Sequence, residues 1–186
     1  MVLAAYCIGS LATSVWIGKS FYHIDVREFG SGNAGATNTF RVLGKRAGIP
    51  VLILDILKGC VAVALAYFSK YEPGSSGFIN LEIGLGVAAL IGHIFPVFAG
   101  FRGGKGVATL LGVVVCIAPA ASALALIVFL IVLFSSRIVS LSSMLAGVSF
   151  PLFLIFLLGN SNPVLTVFSV VVSALQDSGD LMRQLN

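Results

Sequence analysis

Seven apolar segments divide this chain, at residues 2–20, 47–69, 81–99, 106–118, 120–135, 141–158 and 163–176. A straight helical membrane span needs about 20 apolar residues, and most of these segments approach that length. Backbone exposed to lipid must satisfy its own hydrogen bonds, so each segment is expected to be a helix. Strands of a membrane barrel would be shorter and would alternate apolar with polar residues. Only 10% of the 186 residues are charged, against about 25% in a typical soluble domain. Mean hydropathy is +1.07. The expected fold class is therefore an all-α integral membrane protein, one transmembrane domain over residues 1–186.

The fourth and fifth segments are short, with Pro119 between them. They read either as two tilted spans or as one long kinked span, which would leave six. Basic residues favour seven. Counting connections from the N-terminus, residues 21–46 carry Arg27, Arg41, Lys45 and Arg46, residues 100–105 carry Arg102 and Lys105, and residues 136–140 carry Arg137, while the C-terminal tail carries Arg183. The alternate connections, 70–80, the Pro119 turn and 159–162, carry only Lys70, beside Glu72. Seven spans gather every basic-rich segment on one face. That places the N-terminus outside, the C-terminus inside and the working face in the cytoplasm. The opening residues lack a basic stretch ahead of their apolar run, so they read as a retained first span and not a cleaved signal.

Net charge is +4 at pH 7. The cations form no basic stripe with interleaved aromatics, so no nucleic-acid surface is expected. Cys7, Cys60 and Cys116 lie within apolar segments without metal-site spacing, and no disulfide is expected.

Chemistry concentrates in the first connection, "GSGNAGATNTFR". Gly30, Gly32 and Gly35 match the spacing of a dinucleotide fingerprint, and Asp55 sits where a ribose partner would. The context excludes that reading: the fingerprint must join a strand to a helix in a soluble unit, and Asp55 falls inside an apolar span. What remains is a tight turn able to aim N–H groups at an anion. Ser31, Asn33, Thr37, Asn38 and Thr39 add neutral donors, and Arg41 adds a planar cation suited to phosphate. The third connection repeats this theme. Gly100, Gly103, Gly104 and Gly106 surround Arg102 and Lys105 at the mouth of a helix, a second anion site with free N–H groups. It is not a Walker A loop, because Ala99 and Gly106 stand where Gly and Ser or Thr are required.

The fifth connection offers Ser140, Ser142, Ser143 and Arg137, serines that also suit helix caps. His93 reads as a histidine packed between helices or as a site residue. Asp55 and Lys58, three apart on one helix face, are expected to pair, in a structural or a catalytic role. No Gly-x-Ser-x-Gly elbow, His-x4-Asp pair or acidic pair for a metal is present.

In order and spacing, "GSGNAGATNTFR", the block "GHIFPVFAGFRGGKGVAT" and "SSRIVSLSSM" resemble the bacterial membrane acyl-phosphate:glycerol-3-phosphate acyltransferases, over about residues 5 to 175. The resemblance implies seven helices in the bacterial inner membrane and a site open to the cytoplasm. It implies transfer of a fatty acyl group from acyl phosphate to the 1-hydroxyl of glycerol 3-phosphate. Carried onto this chain, it gives Ser31, Arg41, Lys105 and Ser143 as catalytic positions. Asn33, Thr37, Asn38, Gly103 and Gly104 lie on the same surfaces, and Arg102 and His93 complete the expected substrate-binding set. No cofactor or metal is implied. The expected partners are acyl phosphate, glycerol 3-phosphate and the bilayer, with the chain acting as a monomer. One departure stands out. Where the family closes with a basic segment bearing His and Asn, this chain has Asp177 and Asp180, and acids near a phosphate site weaken anion binding. Two other function classes fit the residue types less well. A phosphate-anion carrier would bring internal repeats and mid-span helix breaks, neither of which reads clearly from the sequence. A scaffold would not need the cations.

Overall fold

A computed structural model describes residues 1–158. The seventh apolar segment, 163–176, the connection 159–162, and Asp177, Asp180 and Arg183 lie outside the described residues. Within them the chain is all helix and turn, with no strand. Four helical stretches are long and apolar enough to cross a membrane: Val2–Tyr22, Lys45–Phe68, Ser76–Ala99 and Pro119–Ser136. Val107–Ile117 and Leu141–Leu157 are shorter apolar helices. Each of the first six predicted segments is thus helical.

The chain divides into two compact units, Met1–Ile117 and a second that starts at Ala118. In the first unit the leading span is not one helix. It breaks after α1 (Val2–Gly9) and resumes as α2 (Thr13–Tyr22). A mid-span break, which the sequence did not reveal, is therefore present. Close packing of α1 against α5 (Ser76–Ile94) forces the chain together just before it. A Cβ on Gly9 would strike the Ala89 backbone, and one on Gly92 would strike the Tyr6 carbonyl and lie 2.9 Å from Ser10 N. Small residues permit this approach where lipid supplies no hydrophobic drive between helices.

α3 (Ala36–Leu43) follows the first loop, and α4 (Lys45–Ala64) begins after Gly44, whose φ is +76°. A single 3-10 turn, Leu65–Phe68, ends the second span. Ser75 caps α5, its hydroxyl accepting from Phe78 N–H at 3.2 Å. α6 (Val107–Ile117) packs on α4 through two glycines. Gly59 faces the Thr109 carbonyl and Gly112 faces the Ile56 carbonyl, each too close to admit a Cβ. The core between α1, α4 and α5 is built largely of alanines, with Ala5, Ala62, Ala66, Ala88 and Ala89 around Phe78 and Leu85.

The second unit opens with α7 (Pro119–Ser136), followed by α8 (Val139–Leu158). Ala118 leaves helical geometry at φ −139° and ψ 71°, and Pro119 occupies the first turn of α7, where its missing N–H costs nothing. The helices of the fourth and fifth segments are thus interrupted at Ala118. Arg137, left-handed at φ +59°, closes α7 by donating its N–H to the Leu133 carbonyl at 2.8 Å.

Candidate active site

The first loop is shaped by Asn38. This side chain is 2% exposed. Its amide nitrogen donates to the carbonyls of Val26 at 2.8 Å and Phe29 at 3.1 Å, and its oxygen accepts from Ser31 N–H at 2.9 Å. Gly30 takes φ +62°, and a Cβ there would run into the Asn38 oxygen. The glycine and the asparagine therefore require one another. Asn38 uses both amide donors and its oxygen inside the loop, so its contribution is to shape. The Ser31 side chain is left exposed. Thr37 and Arg41, four apart and hence on one face of α3, are exposed as well. Thr39 is buried and bonds the Gly35 carbonyl at 3.0 Å. Asn33 is half-buried.

The third connection folds back on the end of α5. Gly103 N–H donates to the Ile94 carbonyl at 3.1 Å and Gly104 N–H to the His93 carbonyl at 3.2 Å. Contrary to the expectation from the sequence, neither N–H group is free for an anion. Their amides complete the frayed end of α5, which would otherwise leave carbonyls unsatisfied. The glycines are needed for closeness. A Cβ on Gly103 would meet the His93 and Ile94 carbonyls, and one on Gly104 would meet His93 Nε2. Arg102 and Lys105 flank them and are exposed.

Two residues of the first loop, Ala34 and Arg27, bond the other loop. Ala34 N–H donates to the Gly103 carbonyl at 3.3 Å. Arg27 Nη1 reaches the Ala99 carbonyl at 2.7 Å and the Arg102 carbonyl at 3.4 Å. The rest of the Arg27 guanidinium grips Asp25 in a fork, Nε to Oδ1 at 3.0 Å and Nη2 to Oδ2 at 2.7 Å. Asp25 also receives Arg27 N–H at 3.1 Å and Lys19 Nζ at 3.1 Å. Hydrogen bonding from Arg27 outweighs partial burial and holds the Asp25 carboxyl well below the usual carboxylate range; Asp25 in turn raises the pKa of Arg27. From the sequence alone, Arg27 is one of several cations in the first connection. An acid two residues from an arginine, at a turn entering a glycine run, was the available signal.

Beneath the loops lies a buried polar cluster. Asp55 Oδ1 accepts from Lys58 Nζ and from the Thr13 hydroxyl, both at 2.8 Å. Lys58 Nζ also donates to the Leu11 carbonyl at 3.0 Å. His93 Nδ1 stands 3.0 Å from the Thr109 hydroxyl and 3.8 Å from Asp55 Oδ1. His93 is 5% exposed. It is a histidine packed between α5 and α6, with Gly104 pressed on its other nitrogen. Ser143 belongs to the second unit, where it is buried near the start of α8, beside Ser142, whose hydroxyl bonds the Ile138 carbonyl at 2.8 Å. Among the described residues no group of three His, Cys, Asp or Glu side chains could hold a metal ion.

Such an arrangement suits anions. Two loops carry Arg41, Arg102 and Lys105 with exposed hydroxyls, and their backbones are tied together by a buried framework.

Comparison with known proteins points the same way. The family model described as glycerol-3-phosphate acyltransferase matches residues 1–184. The chain is 51% identical over 155 residues to the glycerol-3-phosphate acyltransferase of Listeria welshimeri serovar 6b, covering 83% of this chain and 76% of that one. It is 43% identical over 175 residues to the enzyme of the same description from Enterococcus faecalis, covering 94% and 78%. Its fold is similar to the crystal structure of PlsY (YgiH), an integral membrane glycerol 3-phosphate acyltransferase, in the glycerol 3-phosphate form. There the TM-score is 0.85 at 36% identity, over 99% of this chain and 90% of that one.

Proposed function

Because this chain belongs to the glycerol-3-phosphate acyltransferase family, we propose that it transfers a fatty acyl group from acyl phosphate to the 1-hydroxyl of glycerol 3-phosphate. The products are lysophosphatidic acid and inorganic phosphate. The observation that carries this reading is the junction of the two glycine loops at Ala34 and Gly103, with exposed Arg41, Arg102 and Lys105 on the segments so joined. The related PlsY structures, in glycerol 3-phosphate and lysophosphatidic acid forms, support it.

An acyl phosphate is a mixed anhydride, so its carbonyl is already activated. The difficulty is bringing two phosphate-bearing substrates together against their repulsion. Fixed cations and hydroxyls in a framework that need not reorganise address that difficulty. In this reading Arg41, Lys105 and Ser31 hold substrate phosphates, with Arg102, Asn33 and Thr37 beside them. Asn38, Gly103 and Gly104 set the loop shapes. The family resemblance assigns Ser143 a catalytic role, and His93 packs against Gly104. The acceptor hydroxyl oxygen attacks the carbonyl carbon, the bond from that carbon to the phosphate oxygen breaks, and phosphate leaves with the electron pair. The hydroxyl proton passes to a substrate phosphate oxygen. The chain crosses the inner membrane seven times as a monomer, N-terminus outside, with the site facing the cytoplasm.

The broken first span is a feature shared with anion carriers. One carbonyl at the break, that of Leu11, is taken by Lys58, and acyl transfer remains the reading.

Phosphate release by the purified protein, given palmitoyl phosphate with and without glycerol 3-phosphate, tests the proposal. Acceptor-dependent release with lysophosphatidic acid formed is expected, falling about 100-fold or more in Lys105→Ala and in Arg41→Ala. Transport of glycerol 3-phosphate into proteoliposomes without acyl transfer would overturn it.

A further inference from the structure

The two glycine-rich loops lie about seventy residues apart in sequence, and each is locally soft. The first depends on Gly30 and Gly32 in left-handed conformations, and the third turns at Gly100 and Phe101, at φ +64° and +59°. Loops of this kind hold a substrate only if something fixes their spacing. Backbone supplies one direct bond, Ala34 N–H to the Gly103 carbonyl at 3.3 Å, near the long limit for a hydrogen bond. The strongest link is Arg27. Its side chain is 14% exposed, its fork on Asp25 is bidentate, and its remaining nitrogen holds the Ala99 carbonyl at 2.7 Å.

We propose that Arg27, locked by Asp25, is the positioning residue that sets the distance between the two phosphate-binding loops. This inference rests on the acyltransferase reading for its functional consequence and on the geometry alone for its structural one. Arg27 is distinct in kind from Arg41, Arg102 and Lys105. Those side chains are exposed. Arg27 faces inward, with its donors on a carboxylate and on backbone carbonyls of the other loop. Its planar fork suits this task because one rigid group can serve Asp25 along one edge and the carbonyls along the other. A lysine in its place could reach one acceptor but not hold both. A positioning role also explains why an acid stands on a face that otherwise binds anions. Asp25 orients the guanidinium and neutralises it, so that it does not compete for phosphate.

The experiment compares Arg27→Met, Arg27→Lys, Asp25→Asn and the double variant Asp25→Asn/Arg27→Met in the full chain, in detergent. Steady-state rates are measured against glycerol 3-phosphate and palmitoyl phosphate, and amide hydrogen exchange is followed at Ala34, Gly103 and Gly104. A positioning clamp predicts about a 100-fold loss of kcat/KM in Arg27→Met, the scale of a small misplacement, with partial rescue in Arg27→Lys. Asp25→Asn should lose activity in the same direction, and the double variant should be no worse than Arg27→Met, because both act through one contact. Exchange at Ala34 should accelerate in each. If Arg27 instead acted directly on phosphate, Asp25→Asn would release it and lower KM, which overturns the proposal. Full activity in Arg27→Met, or additive losses in the double variant, also overturns it. Absence of turnover in the unaltered protein would count against the acyltransferase reading only. The clamp is then decided by exchange alone: faster exchange at Ala34 in Arg27→Met upholds it, and unchanged exchange overturns it.

Discussion

Lys58 donates to the carbonyl oxygen of Leu11 at 3.0 Å, across the point where the first span breaks. A broken helix inside a bilayer leaves carbonyls that water cannot reach, and each needs a partner. Lys58 supplies that partner while pairing with Asp55 at 2.8 Å, and Asp55 receives the Thr13 hydroxyl at the start of α2. The intramembrane ion pair thus anchors the turn after α1 and the first residue of α2 to α4.

Removing one member of this pair leaves the other buried and unpaired. Lys58→Met should destabilise the protein by about 3 kcal/mol, read as thermal unfolding in detergent. The double variant Asp55→Leu/Lys58→Met should cost less than the two single losses summed. Strict additivity would mean that the two side chains do not act as a pair.

The glycines of the spans should separate into two classes. Gly112→Ala places a Cβ against the Ile56 carbonyl and must push α4 from α6. It should destabilise by about 1–3 kcal/mol, as other overpacked cores do. Gly84 has open space around it within α5, so Gly84→Ala should raise stability by about 0.5–1 kcal/mol through helix propensity. Melting curves of the two variants provide the check, and equal effects would refute the helix contact.

Asn38→Asp keeps the acceptor for Ser31 N–H but turns the donor toward Val26 and Phe29 into a second acceptor. A carboxylate facing two carbonyls should open the first loop. The expected result is a rise of about 10- to 100-fold in KM for glycerol 3-phosphate, a loss of about 1.4–2.8 kcal/mol in binding. Unchanged KM would remove Asn38 from any role in shaping the site.

The clamp at Asp25 has a definite pH response. Its carboxyl is held below the usual range, first by the Arg27 hydrogen bond. A lowered pKa contributes stability above the unfolded value, about 3.9 for aspartate, and loses it only as pH falls through the still lower folded value. Protection of the Ala34 amide, corrected for intrinsic exchange, should therefore match at pH 7 and pH 5. A loss of protection by pH 5 would show that the pairing is weaker than the geometry implies.

Much of this was legible without coordinates. Apolar runs of near-span length and the glycine blocks with Arg41, Arg102 and Lys105 depend only on local composition and order. Partitioning into lipid acts on each segment by itself, so helical membrane segments follow from the sequence alone. The break in the first span did not, nor did three side-chain and backbone roles. Gly103 and Gly104 read as anion donors, yet their N–H groups close the end of α5. Arg27 read as one cation among several, yet it reaches a carbonyl 72 residues away. Asp55 and Lys58 read as a pair of undetermined purpose, and that purpose lies 47 residues away at the Leu11 carbonyl. Each depends on where a distant backbone oxygen ends up. A carbonyl is present in every residue and leaves no mark in the sequence, so only the packing of the helices decides which polar groups find one and which remain free to meet a substrate.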